Sequence, residues 1–182
     1  SAGFCYGVRR AVELAQRQAE QGTPCVMLGS IIHNSHVVER LASQGIQQID
    51  TPEQAPPGAH VLIRSHGESR DIYRRLEEQG NPVLDATCPN VSRIHDLVSD
   101  AERRGRCPVI IGAPDHPEVR AIAGWCEHPV VLNGADCLQK WLEEEPERCQ
   151  IPLTFVSQTT STRENWEKSV NCAKKVCTNL EI

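Results

Sequence analysis

Val83-Leu84-Asp85-Ala86-Thr87-Cys88-Pro89-Asn90-Val91 joins a short apolar run to a cysteine and then to a proline. Proline fits the first turn of a helix, where its missing N–H is not needed. The segment from Val91 to Arg103 follows with amphipathic spacing. The stretch therefore reads as a strand, a cysteine at its exit, and a helix that starts at once. A helix N-terminus favours thiolate, the form of cysteine that ligates metals or attacks electrophiles. The plain alternative for Cys88 is a buried, inert thiol.

Working outward, the same strand-then-helix unit recurs on both sides. Upstream, Val8, Ala11, Val12, Ala15 and Ala19 mark a helix over 9–21 that Gly22 stops. Strands follow at Cys25-Val26-Met27-Leu28 and His60-Val61-Leu62-Ile63, with a helix over 37–43 and another, capped by Ser69, that runs to Gln79. Ile46 to Asp50 reads as a short edge strand. Downstream, strands are expected over 108–111, 129–132 and 151–156, and helices over 118–125, 137–145 and 163–177. Crossovers of this length imply an α/β fold with parallel sheets. Two small domains are expected, 1–87 and 88–182, with Cys88 at the seam.

Composition narrows the function classes. The 182 residues are 39% hydrophobic and 24% charged, with a net charge of -5, so a core can form and no basic stripe points to nucleic acid. No run is long enough to span a membrane and no secretory signal is visible. Nine cysteines, an odd number without a C-x-x-C pair, do not match a secreted disulfide scaffold. They imply free thiols in a reducing cytoplasm, with Cys25, Cys107, Cys126 and Cys137 as small core fillers. The first residue is not Met, Ser1 to Cys5 resembles the end of a strand, and the final residues resemble the start of another. A fragment of a longer protein is the expectation.

In open parallel sheets, ligands bind beyond the carboxyl ends of the strands. The residues at those exits are Cys5, His33, His66, Cys88, His116 with Glu118, and Thr159 with Thr160. Two cysteines at helix starts suit a soft metal centre. Three histidines and nearby hydroxyls suit an anionic oxygen ligand such as a phosphate. Glu118 stands where a proton donor would help a hydroxyl to leave. No Walker loop or Gly-x-Gly-x-x-Gly occurs, so nothing argues for a nucleotide cofactor.

Six short motifs occur in order: Gly3-Phe4-Cys5-Tyr6-Gly7-Val8-Arg9-Arg10-Ala11, His33-Asn34, Ser65-His66-Gly67, Asp85-Ala86-Thr87-Cys88-Pro89, His116-Pro117-Glu118-Val119 and Gln158-Thr159-Thr160. Together they resemble the LytB/IspH family of 4-hydroxy-3-methylbut-2-enyl diphosphate reductases, which perform the last step of the non-mevalonate isoprenoid pathway. The resemblance implies three α/β domains in a trefoil arrangement, of which this chain holds the first two. It implies a 4Fe-4S cluster held by one cysteine from each domain: Cys5, Cys88, and a third beyond Ile182. His33, His66 and His116 would bind the substrate's diphosphate, and Glu118 with Thr159 would pass protons to the departing hydroxyl. Isopentenyl and dimethylallyl diphosphate would be the products, with ferredoxin or flavodoxin as electron donor and neither nucleic acid nor membrane as partner. The family pattern also leads to an expected glycine soon after His-Pro-Glu-Val, where this chain reads Arg120-Ala121-Ile122-Ala123-Gly124.

Two other functions fit the residues without the resemblance. One is a cysteine-dependent hydrolase or transferase with Cys88 as nucleophile and His66 or His116 as base. The other is a zinc-stabilised or plain α/β binding module.

Overall fold

The computed structural model describes residues 6–30 and 35–182. The chain divides into two compact units, Ser1–Ser92 and Arg93–Ile182.

The first unit holds α1 (Tyr6–Glu20), β1 (Cys25–Leu28), α2 (Ser35–Ser43), β2 (Gln47–Ile49), β3 (His60–Ile63), α3 (Arg70–Glu78) and β4 (Val83–Asp85). The helix α4 (Pro89–Arg103) begins here, directly after Cys88. The strands form one parallel sheet in the order β2-β1-β3-β4. Alternation along each strand assigns its side chains to the two faces. Cys25, Met27 and Leu62 pack with Ala11, Ala15 and Leu41 of α1 and α2. Val26, Leu28, Val61 and Ile63 pack with Leu76 of α3. Both faces of β1 and β3 are thus covered, which is why these strands read as unbroken apolar runs.

The second unit holds β5 (Cys107–Ile111), α5 (Pro117–Ala123), β6 (Val130–Leu132), α6 (Ala135–Glu144), β7 (Leu153–Ser157), α7 (Arg163–Val176) and β8 (Leu180–Glu181). Its parallel order, β6-β5-β7-β8, repeats that of the first unit. Val109, Ile111, Leu153 and Phe155 meet Leu138, Leu142 and Ala173 of α6 and α7. Ile110 and Val156 meet Val98, Val119 and Ile122 of α4 and α5.

The α/β class with parallel sheets is as expected, and Ile46 to Asp50 does yield an edge strand. Helix starts moved most. α1 begins at Tyr6, before the expected Arg9, and so contains Gly7. Cys137 is not core filler: it is exposed on the first turn of α6, while Cys25 is buried as expected. On the edge away from the strand exits, α1, α2, α3 and α4 each turn into the next strand at a glycine of positive φ, namely Gly22, Gly45, Gly80 and Gly105. No described helix is long and apolar enough to cross a membrane.

Candidate functional site

In the first unit the exits of β3 and β4 are tied together. Ala86 N–H donates to Ile63 O at 3.1 Å, and Cys88 N–H donates to Ser65 O at 2.9 Å. His66 follows Ser65, so the sheet brings the backbones of His66 and Cys88 to neighbouring exits. Both residues are partly exposed. The His66 loop turns at Gly67, with φ 72°, and Gly67 N–H donates to Arg64 O at 3.0 Å. An Arg64–Glu68 ion pair of 2.6 Å bridges this loop. Burial pushes the Glu68 carboxyl up, with Arg64 pulling the other way.

Cys88 itself is set by its backbone. Its carbonyl accepts the first helical bond of α4, from Ser92 N at 2.9 Å. Its thiol is free. The preceding loop is held by Asp85, whose Oδ1 accepts from Thr87 N (2.8 Å) and Thr87 Oγ1 (2.5 Å). Tyr73 Oη donates to Asp85 Oδ2 at 3.1 Å. Burial and then the Asp85 carboxylate hold the Tyr73 hydroxyl above its ordinary range, against a lowering bond to Thr87. Arg10 of α1 reaches the same loop, donating to Thr87 O at 3.0 Å.

The start of α1 closes on the thiol. A Cβ placed on Gly7 would stand 2.8 Å from Cys88 Sγ and 2.9 Å from Cys88 Cβ. Only glycine lets the α1 backbone come this close to the sulfur. A soft ligand at a helix start, partly exposed and with its backbone fixed, fits the demands of an iron–sulfur centre. Among the described residues no group of three or more His, Cys, Asp or Glu could hold a metal ion. Cys5 and His33 lie outside the described residues.

In the second unit β5, β6 and β7 exit side by side. Gly112 N–H donates to Leu132 O at 2.9 Å and Gln158 N–H to Ile111 O at 3.0 Å. His116 caps α5: its Nδ1 accepts from Glu118 N at 3.1 Å. That bond uses the Nδ1 lone pair, so the neutral ring carries its proton on Nε2. Pro117 takes the first helical position.

Glu118 is 1% exposed. Both of its oxygens are engaged by one residue of the neighbouring exit. Oε1 accepts from Thr159 N at 2.5 Å, and Oε2 accepts from Thr159 Oγ1 at 2.8 Å. Burying a carboxylate is costly unless such donors replace water. Gln158 completes the edge, accepting from Ala113 N at 3.2 Å and donating to Thr160 Oγ1 at 2.5 Å. Gly112 lets these loops close, because a Cβ there would meet Val119 Cγ2 at 2.7 Å and Gln158 Oε1 at 2.9 Å.

The second unit thus brings Glu118 and Thr159 into contact and sets His116 two residues before that carboxylate. The sequence did not single out Arg10, Gly7, Tyr73, Gln158 or Gly112 as site residues. Gly7 lies in a motif and in a helix, where glycine costs stability, and that pairing is the signal that could have found it.

The chain matches the LytB protein family over residues 1–182. It is 35% identical over 186 residues to a 4-hydroxy-3-methylbut-2-enyl diphosphate reductase of Caldanaerobacter subterraneus, covering 98% of this chain and 62% of that protein. A protein of the same name from Clostridium acetobutylicum is 39% identical over 173 residues, 92% of this chain and 26% of the relative. The chain therefore spans less than two thirds of each of these proteins. Among solved structures, an (E)-4-hydroxy-3-methyl-but-2-enyl diphosphate reductase, the terminal enzyme of the non-mevalonate pathway, matches with a TM-score of 0.85 and 31% identity. The match covers 99% of this chain and 63% of that one. The fold is shared with a Plasmodium falciparum reductase at a TM-score of 0.88 and 23% identity, over 98% of this chain and 56% of the other. Matched along its whole length, and carrying paired parallel sheets with polar strand exits, this chain belongs to the LytB family.

Proposed function

We propose that the chain is part of a reductase that removes the allylic hydroxyl of 4-hydroxy-3-methylbut-2-enyl diphosphate, giving isopentenyl and dimethylallyl diphosphate. The overall change consumes two electrons and two protons, and the hydroxyl leaves as water. The observation that carries this reading is the Glu118–Thr159 couple, a buried carboxylate with both oxygens held at adjacent strand exits. Glu118 relays protons to the departing hydroxyl through Thr159. When Oε2 is protonated, its bond with Thr159 Oγ1 reverses and the threonine hydroxyl donates outward to the substrate oxygen. His33, His66 and His116 bind the diphosphate, His116 through Nε2–H because its Nδ1 is committed to the helix.

Cys88 and Cys5, with a thiolate from outside residues 1–182, hold an iron–sulfur cluster. Support comes from the partly exposed position of Cys88 at the start of α4, with α1 brought close to it at Gly7. Cys5 stands two positions before Gly7 in the chain. When bound, such a cluster supplies single electrons and a Lewis-acidic iron. The electrons come from ferredoxin or flavodoxin. A cysteine nucleophile at position 88 is the weaker reading: among the described residues no hydrogen bond from a base engages its thiol.

The test uses the full-length protein, purified without oxygen. Glu118→Gln keeps the brown iron–sulfur colour and loses turnover, whereas Cys88→Ser loses both. Full turnover in Glu118→Gln removes the carboxylate from the proton path.

A further inference from the structure

Outside these exits, the second unit carries a second cluster of thiols. A groove of about 700 Å³ runs between α6 and α7, and both Cys149 and Cys172 line it. Cys149 ends the 3-10 turn Pro146–Cys149, and Cys177 is the C-cap of α7. The two segments are joined through their backbones: Thr178 N–H donates to Cys149 O at 3.0 Å, and Thr178 Oγ1 donates to the same oxygen at 3.4 Å. Cys149, Cys172 and Cys177 all pack against the same apolar cluster of the second unit. All three are partly exposed, and none of them is in a disulfide.

We infer that Cys149 and Cys177 form an oxidisable dithiol, a site of reversible modification by small hydroperoxides that enter through the groove. The step balances as two displacements. The Cys149 sulfur attacks the hydroperoxide; the O–O bond breaks, a Cys149 S–O bond forms, and the departing oxygen takes the proton that the Cys149 thiol gives up and leaves as alcohol or water. The Cys177 sulfur then attacks the Cys149 sulfur; the S–S bond forms, the S–O bond breaks, and the leaving hydroxide takes the Cys177 proton away as water. The peroxide is reduced by two electrons, and the two thiols are oxidised together.

The order of events follows from the surroundings. Burial, and then the neighbouring Cys149, push the Cys177 thiol up to about 11, so Cys177 is protonated at neutral pH and acts second. Cys149 faces the groove and meets the oxidant first. Cys172 lines the groove too, but its backbone is not joined to the Cys149 turn by the bonds that tie Thr178 there. Cys149 and Cys177 both sit at helical ends, where the backbone is freest to adjust. The bond encloses the loop that contains β7 and α7 and pins the passage from α7 to β8.

The proposal is independent of the reductase reading, because it involves none of its residues. The test exposes the reduced full-length protein to hydrogen peroxide, blocks remaining thiols by alkylation, and maps peptides by mass. A Cys149–Cys177 linked peptide is expected, lost on treatment with dithiothreitol and still formed in Cys172→Ser. In Cys149→Ser, Cys177 should remain open to alkylation after the same exposure. The thermal midpoint of the oxidised protein should rise and fall back on reduction, since the link restricts the unfolded chain. A Cys149–Cys172 link, or Cys149 oxidised to sulfinic acid with Cys177 still alkylatable, overturns the pairing. Full alkylation of both Cys149 and Cys177 after exposure overturns the site.

Discussion

The two units share a strand order and differ in what they do with their exits. In the first, the backbone around Cys88 is fixed by Ser65, Ser92, Arg10 and the Asp85 loop, while a glycine lets α1 pack closely on the sulfur. In the second, the Glu118 carboxylate has both oxygens held and 1% of its surface open. One edge holds a frame around a group left available. The other edge holds the group itself. On the proposed roles, a metal ligand needs its lone pairs free and its position fixed, whereas an acid needs a defined proton path and protection from water. The same topology thus supports two kinds of preparation, and the loops alone decide which.

The sharpest way to break this contrast is Glu118→Gln in the full-length protein. Turnover should fall by about 10²- to 10⁴-fold, the usual range for loss of a positioned acid. Circular dichroism and thermal midpoint should show the fold intact, because the amide oxygen can still accept from Thr159.

Equivalent strands offer a second comparison. β1 and β5 are each paired on both sides, and each begins with a cysteine, Cys25 and Cys107. Burial pushes Cys25 up to about 11 from an ordinary 9.0, and it raises Cys107 as well. A thiol with a raised pKa in the folded state stabilises the fold fully below the unfolded value. The unfolded chain releases its proton first, so that stability is lost as pH rises from 9 toward 11. For Cys25 the loss is on the order of 3 kcal/mol. Denaturant titrations at pH 8 and pH 10.5 should show it, and Cys25→Ala should flatten the alkaline slope at some cost in packing.

The two close-approach glycines give the next effect. Gly112→Ala presses a methyl group into Val119 and Gln158 and should cost about 1–3 kcal/mol, measured by chemical denaturation. Gly7→Ala presses on Cys88 Sγ instead. Its clearest signature should be weakened iron loading with a smaller loss of stability. The reverse ranking would mean that the Cys88 frame is more rigid than the Glu118 edge.

The smallest effect should come from Tyr73→Phe. It removes the donor to Asp85 Oδ2 while Thr87 keeps Oδ1 occupied, for a loss of about 0.5–1.5 kcal/mol by thermal denaturation.

The fold was largely legible in the sequence because its central strands are continuous apolar runs between glycine and proline breaks. Cys25–Leu28 and His60–Ile63 were located to the residue. Helix starts were less legible. α1 runs back through Gly7, where helix propensity argues against it and close approach to Cys88 decides the matter. Ser69, expected to cap α3, holds the N-cap position without a side-chain bond. Arg120 to Gly124 lacks the early glycine of the family pattern, yet α5 forms and ends at Ala123 with Gly124 as its cap. Motif order picked out Cys88, His66, His116, Glu118 and Thr159. The partners that frame them were hidden: Arg10 reaches Thr87 across 77 positions and Gln158 reaches Ala113 across 45. No local pattern encodes such pairings.

The glycine turns at the far edge have a practical consequence. Gly22, Gly45, Gly80 and Gly105 have nothing within 4 Å of the position where a side chain would begin. Parallel strands send every exit loop to the opposite edge, so a graft at these turns sits a full strand length from Cys88 or Glu118. Fluorophores, epitope tags or short inserted peptides can be built there, provided that the graft keeps a residue able to adopt positive φ.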